Sequence, residues 1–276
     1  MGIETRDRPR LKKALGQHHL VRPELCRPLV EFLAPRDERV VEIGPGGGVL
    51  TRALLDAGAR VWAVELDVEW AWELRRALGR DVAAPLVGDA SPQRPALQPL
   101  VMDALELPWE RLPAPTLVAG NLPYNVATAI LTSVLPHWSR LPRAAFLLQK
   151  EVAERLTARP GTRDYGSLTV LVQSYAEATI LGRVRPGSFR PPPKVESAFV
   201  GLRLHAPPLP ESQMSAFLAR VREAFGQKRK TLRNALGRVV GSTRVEAALR
   251  ALELPPTTRA EELSLDRWLA LWPLVR

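Results

Sequence analysis

A single cysteine, Cys26, stands in a chain of 276 residues. One thiol excludes an internal disulfide framework and any cysteine-rich zinc site. No uninterrupted apolar run reaches membrane-spanning length, so no transmembrane helix is expected. Met1–Lys13 is basic but lacks an apolar h-region; a signal peptide is not expected, and a cytoplasmic location is the default. Lysine is scarce too, at 6 of the 39 basic residues. The net charge of +10 suits a polyanionic partner, since basic side chains gain by releasing counterions around phosphates. An arginine-rich composition set by codon usage explains the same sum, so charge alone leaves both readings standing. At 46% hydrophobic and 25% charged, the chain is an ordinary globular one, long enough for one large domain and a smaller second one.

Hydrophobic periodicity gives the order of elements. Val40–Ile43 reads as a strand entering Gly44-Pro45-Gly46-Gly47-Gly48, followed by a helix over Val49–Ala57 that Gly58 stops. Arg60–Glu65 is a second strand and Glu69–Leu78 a second helix, the βαβα pattern of a parallel sheet. Residues 80–99 are proline-rich and read as an irregular insertion before a short strand, Leu100–Met102. Leu117–Gly120 is the next strand, Ala127–Leu135 a helix, and Ala144–Leu148 a strand. Helices are expected near Glu151–Ala158 and Gly166–Tyr175. A closing strand pair, near Ala176–Val184 and Ser197–Leu204, is joined by a proline-rich loop. From about Pro207 the periodicity is helical only. The expectation is an α/β Rossmann-like domain over 1–206, mostly parallel with an antiparallel final strand, and a small all-α domain over 207–276.

The glycine turn discriminates between cofactors. A dinucleotide fingerprint needs G-x-G-x-x-G, and counting from Gly44 and Gly46 the third position is Val49. Glu42-Ile43-Gly44-Pro45-Gly46 is instead the E-x-G-x-G form of S-adenosylmethionine methyltransferases, where Gly44 and Gly46 make room for the amino-acid part of the cofactor. Glu65, at the end of the second strand, is placed to accept both ribose hydroxyls. Asp103 follows the third strand and can hydrogen-bond an adenine amino group; local pattern alone gives Asp89 nearly the same claim.

Asn121-Leu122-Pro123-Tyr124, after the fourth strand, points to the chemistry. The exocyclic amine of adenine is a poor nucleophile because its lone pair is delocalised into the ring. The Asn121 side-chain oxygen and the Leu122 carbonyl would hold that amine and favour tetrahedral nitrogen. Pro123 stiffens the turn, and Tyr124 offers a face for an extruded base. In-line transfer is then mainly positioning, and no general base is needed. A plain Asn-Pro turn is the bland alternative, which the preceding glycine turn and strand-end acid disfavour.

These stretches resemble the ribosomal RNA adenine N6,N6-dimethyltransferase family, the KsgA-type enzymes. The likeness runs through Lys13–Leu20, Val41–Gly46, Val64–Asp67, Asp103-Ala104, Gly120–Asn125, Leu148–Val152, Tyr165-Gly166, Phe189–Ser197 and Ala224–Asn234. It implies cofactor contacts at His18, Leu20, Gly44, Glu65, Asp103 and Asn121, choosing Asp103 over Asp89. It also implies that Phe189 covers the other face of the target base. The family usually has Asn-Phe where this chain has His18-His19. Adjacent histidines rarely converge on one ion, so no metal site is expected.

Gln227–Arg233 is the densest basic cluster, and Lys228, Arg229, Lys230 and Arg233 are its candidate phosphate contacts, with Arg220, Arg222 and Arg238 nearby. A solvated helix face is the competing reading. Arg6, Arg8, Arg10, Lys12 and Lys13 form a candidate basic arm. The resemblance implies S-adenosyl-L-methionine as cofactor and dimethylation of two adjacent adenosines near the 3′ end of 16S rRNA. It implies an immature small ribosomal subunit as partner, no membrane, and a monomer. Macrolide-resistance enzymes acting on 23S rRNA share similar motifs, but Leu122 and Pro191–Val195 look more like the small-subunit group. A ribosome-assembly factor with secondary catalysis is a further alternative, and Val49 argues against an NAD-dependent dehydrogenase.

Overall fold

The computed structural model describes residues 18–78, 96–227 and 230–276. Two compact units divide it. The first comprises Met1–Lys150 with Thr179–Leu204, the second Glu151–Ala178 with His205–Arg276. Asp89, the segment Lys13–Gln17, the basic arm, Lys228 and Arg229 lie outside the described residues.

The first unit is built on a seven-stranded sheet. Its strands are β2 (Arg39–Ile43), β3 (Arg60–Glu65), β4 (Leu97–Val101), β5 (Leu117–Asn121), β6 (Arg143–Gln149), β7 (Ala176–Val184) and β9 (Ser197–Leu204). They lie in the order β4-β3-β2-β5-β6-β9-β7. The pairs from β4 through β6 are parallel, and β9 runs antiparallel to β6. β2, β5 and β6 are apolar almost without a break because both faces are covered. Helix α1 (Arg27–Leu33) precedes β2, and α2 (Val49–Asp56), α3 (Val68–Leu78) and α4 (Ala127–Val134) follow β2, β3 and β5. Leu50, Leu54, Leu74 and Leu78 join Val40, Val61, Leu117 and Ala119 in one core cluster. The strand order reverses around β2, so the carboxyl ends of β2 and β5 open a crevice, the usual ligand site of such sheets.

Two local expectations need correction. The third strand is Leu97–Val101 rather than Leu100–Met102, and it contains Pro99. β4 lies at the sheet's margin, where a proline is tolerated. Met102 N donates to Glu65 O (3.1 Å). By the two-residue alternation of a strand, the amides of Gln98 and Leu100 therefore also face β3, and position 99 faces away. The proline-rich loop is not wholly irregular either. Phe189–Arg190 (β8) pairs antiparallel with His19–Leu20 (β1), with Leu20 opposite Phe189. Two residues on each side carry too little periodicity to be read from sequence.

The second unit is helical. α5 (Lys150–Leu156) and α6 (Ser167–Gln173) group with α7 (Glu211–Phe225), α8 (Leu232–Val240), α9 (Ser242–Ala251) and α10 (Leu265–Val275). Residues 151–178 are tied in by the Tyr165 hydroxyl donating to the Leu263 carbonyl (2.8 Å) and Gly161 N donating to Glu261 O (2.7 Å). Phe217, Trp268, Leu236, Leu249 and Leu271 fill its core. Thr231 caps α8 by accepting from Asn234 N, and Ser264 caps α10. Among the described residues no helix is long and apolar enough to cross a membrane.

Candidate active site

Three successive strand ends deliver the polar groups of one cleft. Gly44 and Gly46 have φ of +65° and +48°, in the left-handed region that favours glycine. The turn they form bends the chain away from β2 so that α2 can start at Val49. At Gly46 there is a second reason for glycine, because a Cβ would lie 2.6 Å from His19 Nε2. The His19 ring packs under the turn and meets Trp70 edge-on at 4.6 Å.

Glu65, last in β3, fastens this turn. Its Oε2 accepts from Gly46 N (3.1 Å) and its Oε1 from Asp67 N (3.0 Å). Burial pushes its pKa up, and these two backbone donors work against that shift. Deeper in β2, Glu42 is fully buried, and its Oε2 has no hydrogen-bond partner among the described residues. Burial raises its pKa to about 8, with the Glu65 carboxylate adding to the effect. Asp103, after β4, accepts from Leu105 N (2.9 Å) and caps a short helical turn at the cleft wall.

Asn121 ends β5, and its Nδ2 donates to the His18 carbonyl (2.7 Å). Leu122 N continues the ladder to Leu147 O (3.2 Å), so Leu122 is buried while Tyr124 projects half-exposed. The Tyr124 hydroxyl shares a hydrogen bond with Ser197 Oγ (2.9 Å), and burial raises the pKa of the phenol. His18 stacks on the Tyr124 ring at 5.4 Å and 27° between planes, with its Nδ1 2.8 Å from the Pro191 carbonyl.

One open cleft brings together His18, Gly44, Gly46, Glu65, Asp103 and Asn121 with Leu122, Pro123 and Tyr124. Two expected residues stand apart. Leu20 is buried and lines only a small adjoining cavity beneath the glycine turn. Phe189 does not line the cleft: 2% exposed, it belongs to the hydrophobic core cluster, held there by the β1–β8 pairing. Sequence reasoning missed His19, Leu66, Met102 and Leu105 as lining residues, and Ser197 as the anchor of Tyr124. For the first group adjacency to the motif residues was the available signal; Ser197 lies in the family stretch Phe189–Ser197, but nothing in the sequence pairs it with Tyr124, because it comes from a distant strand.

In the second unit, Lys230 is exposed, while Arg233 is ion-paired to Glu246 and Arg220 to Glu223 (2.6 Å). Arg220 is also drawn inward, its Nε buried without a partner among the described residues. The basic face is thus partly neutralised on its own helices.

A dinucleotide site would need a glycine where Val49 opens α2. Acids at two successive strand ends beside a glycine turn, with a polar turn at the end of the next parallel strand, belong instead to the methyltransferases of Rossmann-like fold, and this molecule is one of them. The family model described as ribosomal RNA adenine dimethylase matches residues 8–275. Ribosomal RNA small subunit methyltransferase A of Anaeromyxobacter dehalogenans is 42% identical over 265 residues, covering 95% of this chain and 92% of that one. Its counterpart from a Synechococcus species is 40% identical over 276 residues, covering 97% and 94%. The chain belongs to the ribosomal RNA adenine dimethylase family. Among solved structures, a dimethyladenosine transferase from Plasmodium falciparum superposes with a TM-score of 0.75 at 24% identity, covering 92% of this chain and 96% of that one. The 23S rRNA methyltransferase ErmE gives 0.68 at 28%, covering 92% and 98%.

Proposed function

We propose that this protein dimethylates N6 of two adjacent adenosines near the 3′ end of 16S rRNA, acting on an immature small subunit and using S-adenosyl-L-methionine. The observation that carries the reading is the committed amide of Asn121. Its nitrogen is bound to the His18 carbonyl, an oxygen that can only accept. Oδ1 is then the polar atom left to receive an exocyclic amine. Held by that oxygen and the Leu122 carbonyl, the adenine nitrogen loses conjugation with its ring and gains nucleophilicity. Pro123 and the Ser197 anchor on Tyr124 fix the platform against which the base stacks.

The cleft residues fit the cofactor. Gly44 and Gly46 leave no Cβ on the turn, Glu65 suits the ribose hydroxyls, and Asp103 suits the adenine amino group. The bound cofactor would supply an electrophilic methyl on sulfonium. Lys228, Arg229, Lys230 and Arg233 would contact phosphates from the helical unit. A monomer in the cytoplasm goes with that substrate. The names of the relatives at about 40% identity favour the small-subunit substrate over the large-subunit one.

Replacing Asn121 with Ala tests the reading. Methyl transfer to small-subunit RNA, followed by mass spectrometry of the 3′ terminal fragment, is expected to fall at least about a hundredfold, the scale on which one lost positioning contact acts. RNA affinity is expected to stay within about twofold. Full activity in that variant overturns the assignment. Loss of RNA binding with activity retained per bound RNA would make Asn121 a binding contact rather than the group that orients the amine.

A further inference from the structure

The aromatic face on which the target base is to stack already carries a ring. His18 lies on Tyr124 with 5.4 Å between ring centroids. A purine slipped between two aromatic rings needs them roughly 7 Å apart, twice the optimal carbon–carbon contact of about 3.5 Å. The observed gap does not admit one, so a base that uses this face must move one of the two rings.

Tyr124 is the fixed member. It sits on the turn that ends β5, and its hydroxyl is tied to Ser197, which is fully buried on β9. His18 is held more lightly, yet in a defined pose. Its Nδ1 must carry the hydrogen, because the Pro191 carbonyl 2.8 Å away can only accept. The strand pair β1–β8, with His19 opposite Arg190, brings His18 beside Pro191, and Asn121 clasps the His18 carbonyl. Backbone contacts therefore hold the residue in place, while among the described residues one hydrogen bond and one stack hold the ring. Rotation of the side chain would clear the Tyr124 face without disturbing Asn121.

We infer that the His18 imidazole is a resident substitute for the target base, stacked on Tyr124 when no adenosine is present and exchanged for it on entry. Substrate entry is then a swap of one ring for another. A base must outbid a stack and a hydrogen bond, which favours the larger π-face of a purine over a pyrimidine. The same arrangement keeps the Tyr124 face covered between turnovers and leaves the Asn121 amide oriented throughout. The inference rests on the reading of Tyr124 as the base platform.

The test compares two forms of one small-subunit rRNA fragment, with adenosine or with an abasic residue at the methylated position. The dissociation constant of the abasic RNA divided by that of the adenosine RNA, measured with the full-length protein without cofactor, reports what the base itself contributes. In His18→Ala this ratio is expected to rise about five- to tenfold, because the base no longer displaces a ring. Affinity for the abasic RNA is expected to hold, which shows that the variant is folded. An unchanged ratio overturns the exchange. A smaller ratio also overturns it, making His18 a wall that holds the base. Tyr124→Ala separates the two levels. If it leaves the wild-type ratio unaltered, the platform reading itself fails. If it lowers the ratio while His18→Ala does nothing, only the exchange fails.

Discussion

Glu42 sits among residues whose identities the site explains, yet it carries a cost. The folded protein keeps this carboxyl protonated up to about pH 8, whereas an ordinary carboxyl releases its proton near 4.5. The native state therefore binds more protons across that window, and its stability falls as pH rises from roughly 4.5 to 8, staying low above. Glu42→Gln removes the titration. The variant is expected to melt about 5 °C above the parent at pH 8.5 and to converge with it below pH 4.5, in thermal unfolding followed by circular dichroism. Gly46→Ala is expected to cost about 2 kcal/mol, since the new Cβ meets both a left-handed φ and the His19 ring. A companion His19→Ala should restore only the steric part; full recovery would mean that φ strain is negligible. At this scale much was legible in advance. Glu65, Asp103 and Asn121 stand at strand ends, where an α/β pattern puts ligand contacts. The pose of His18 was not, because it depends on Pro191, 173 positions away.

Among the elements, the β1–β8 ribbon departs most from what periodicity announced. It takes Phe189, which the resemblance assigned to the face of the target base, and buries it opposite Leu20 in the core. The two roles separate experimentally. Phe189→Ala is expected to destabilise the fold by about 3 kcal/mol in urea unfolding, the cost of truncating a buried aromatic. Phe189→Leu, which keeps most of the volume, is expected to retain kcat within about threefold. A collapse of kcat in a stable Leu variant would return Phe189 to the base site. The central strands were readable because β2, β5 and β6 are covered on both faces and spell apolar runs. β4 was misplaced by three residues because Pro99 looked like an interruption, and nothing local reveals that a strand lies at a margin.

For the whole molecule, the +10 charge suits the ribosomal RNA on which its family acts. Neutralising Lys228, Arg229 and Lys230 together is expected to weaken RNA binding and to reduce the slope of log K against log salt by about two. A slope unchanged in filter-binding titrations over 50–200 mM salt, a range of roughly the usual span, would move the phosphate contacts elsewhere. Arg233, already paired with Glu246, is expected to contribute less than Lys230. The division into a sheet-based and a helical unit followed from where strand signals cease, but the grouping of 151–178 with the helices rests on contacts such as Tyr165 to Leu263 that sequence order hides. Pro99 has one more effect at this scale. Facing away from β3, it offers no amide on the outer side of β4, which among the described residues is the last strand of the sheet. A strand laid along the outer side of β4 therefore cannot carry the hydrogen-bonded ladder through position 99.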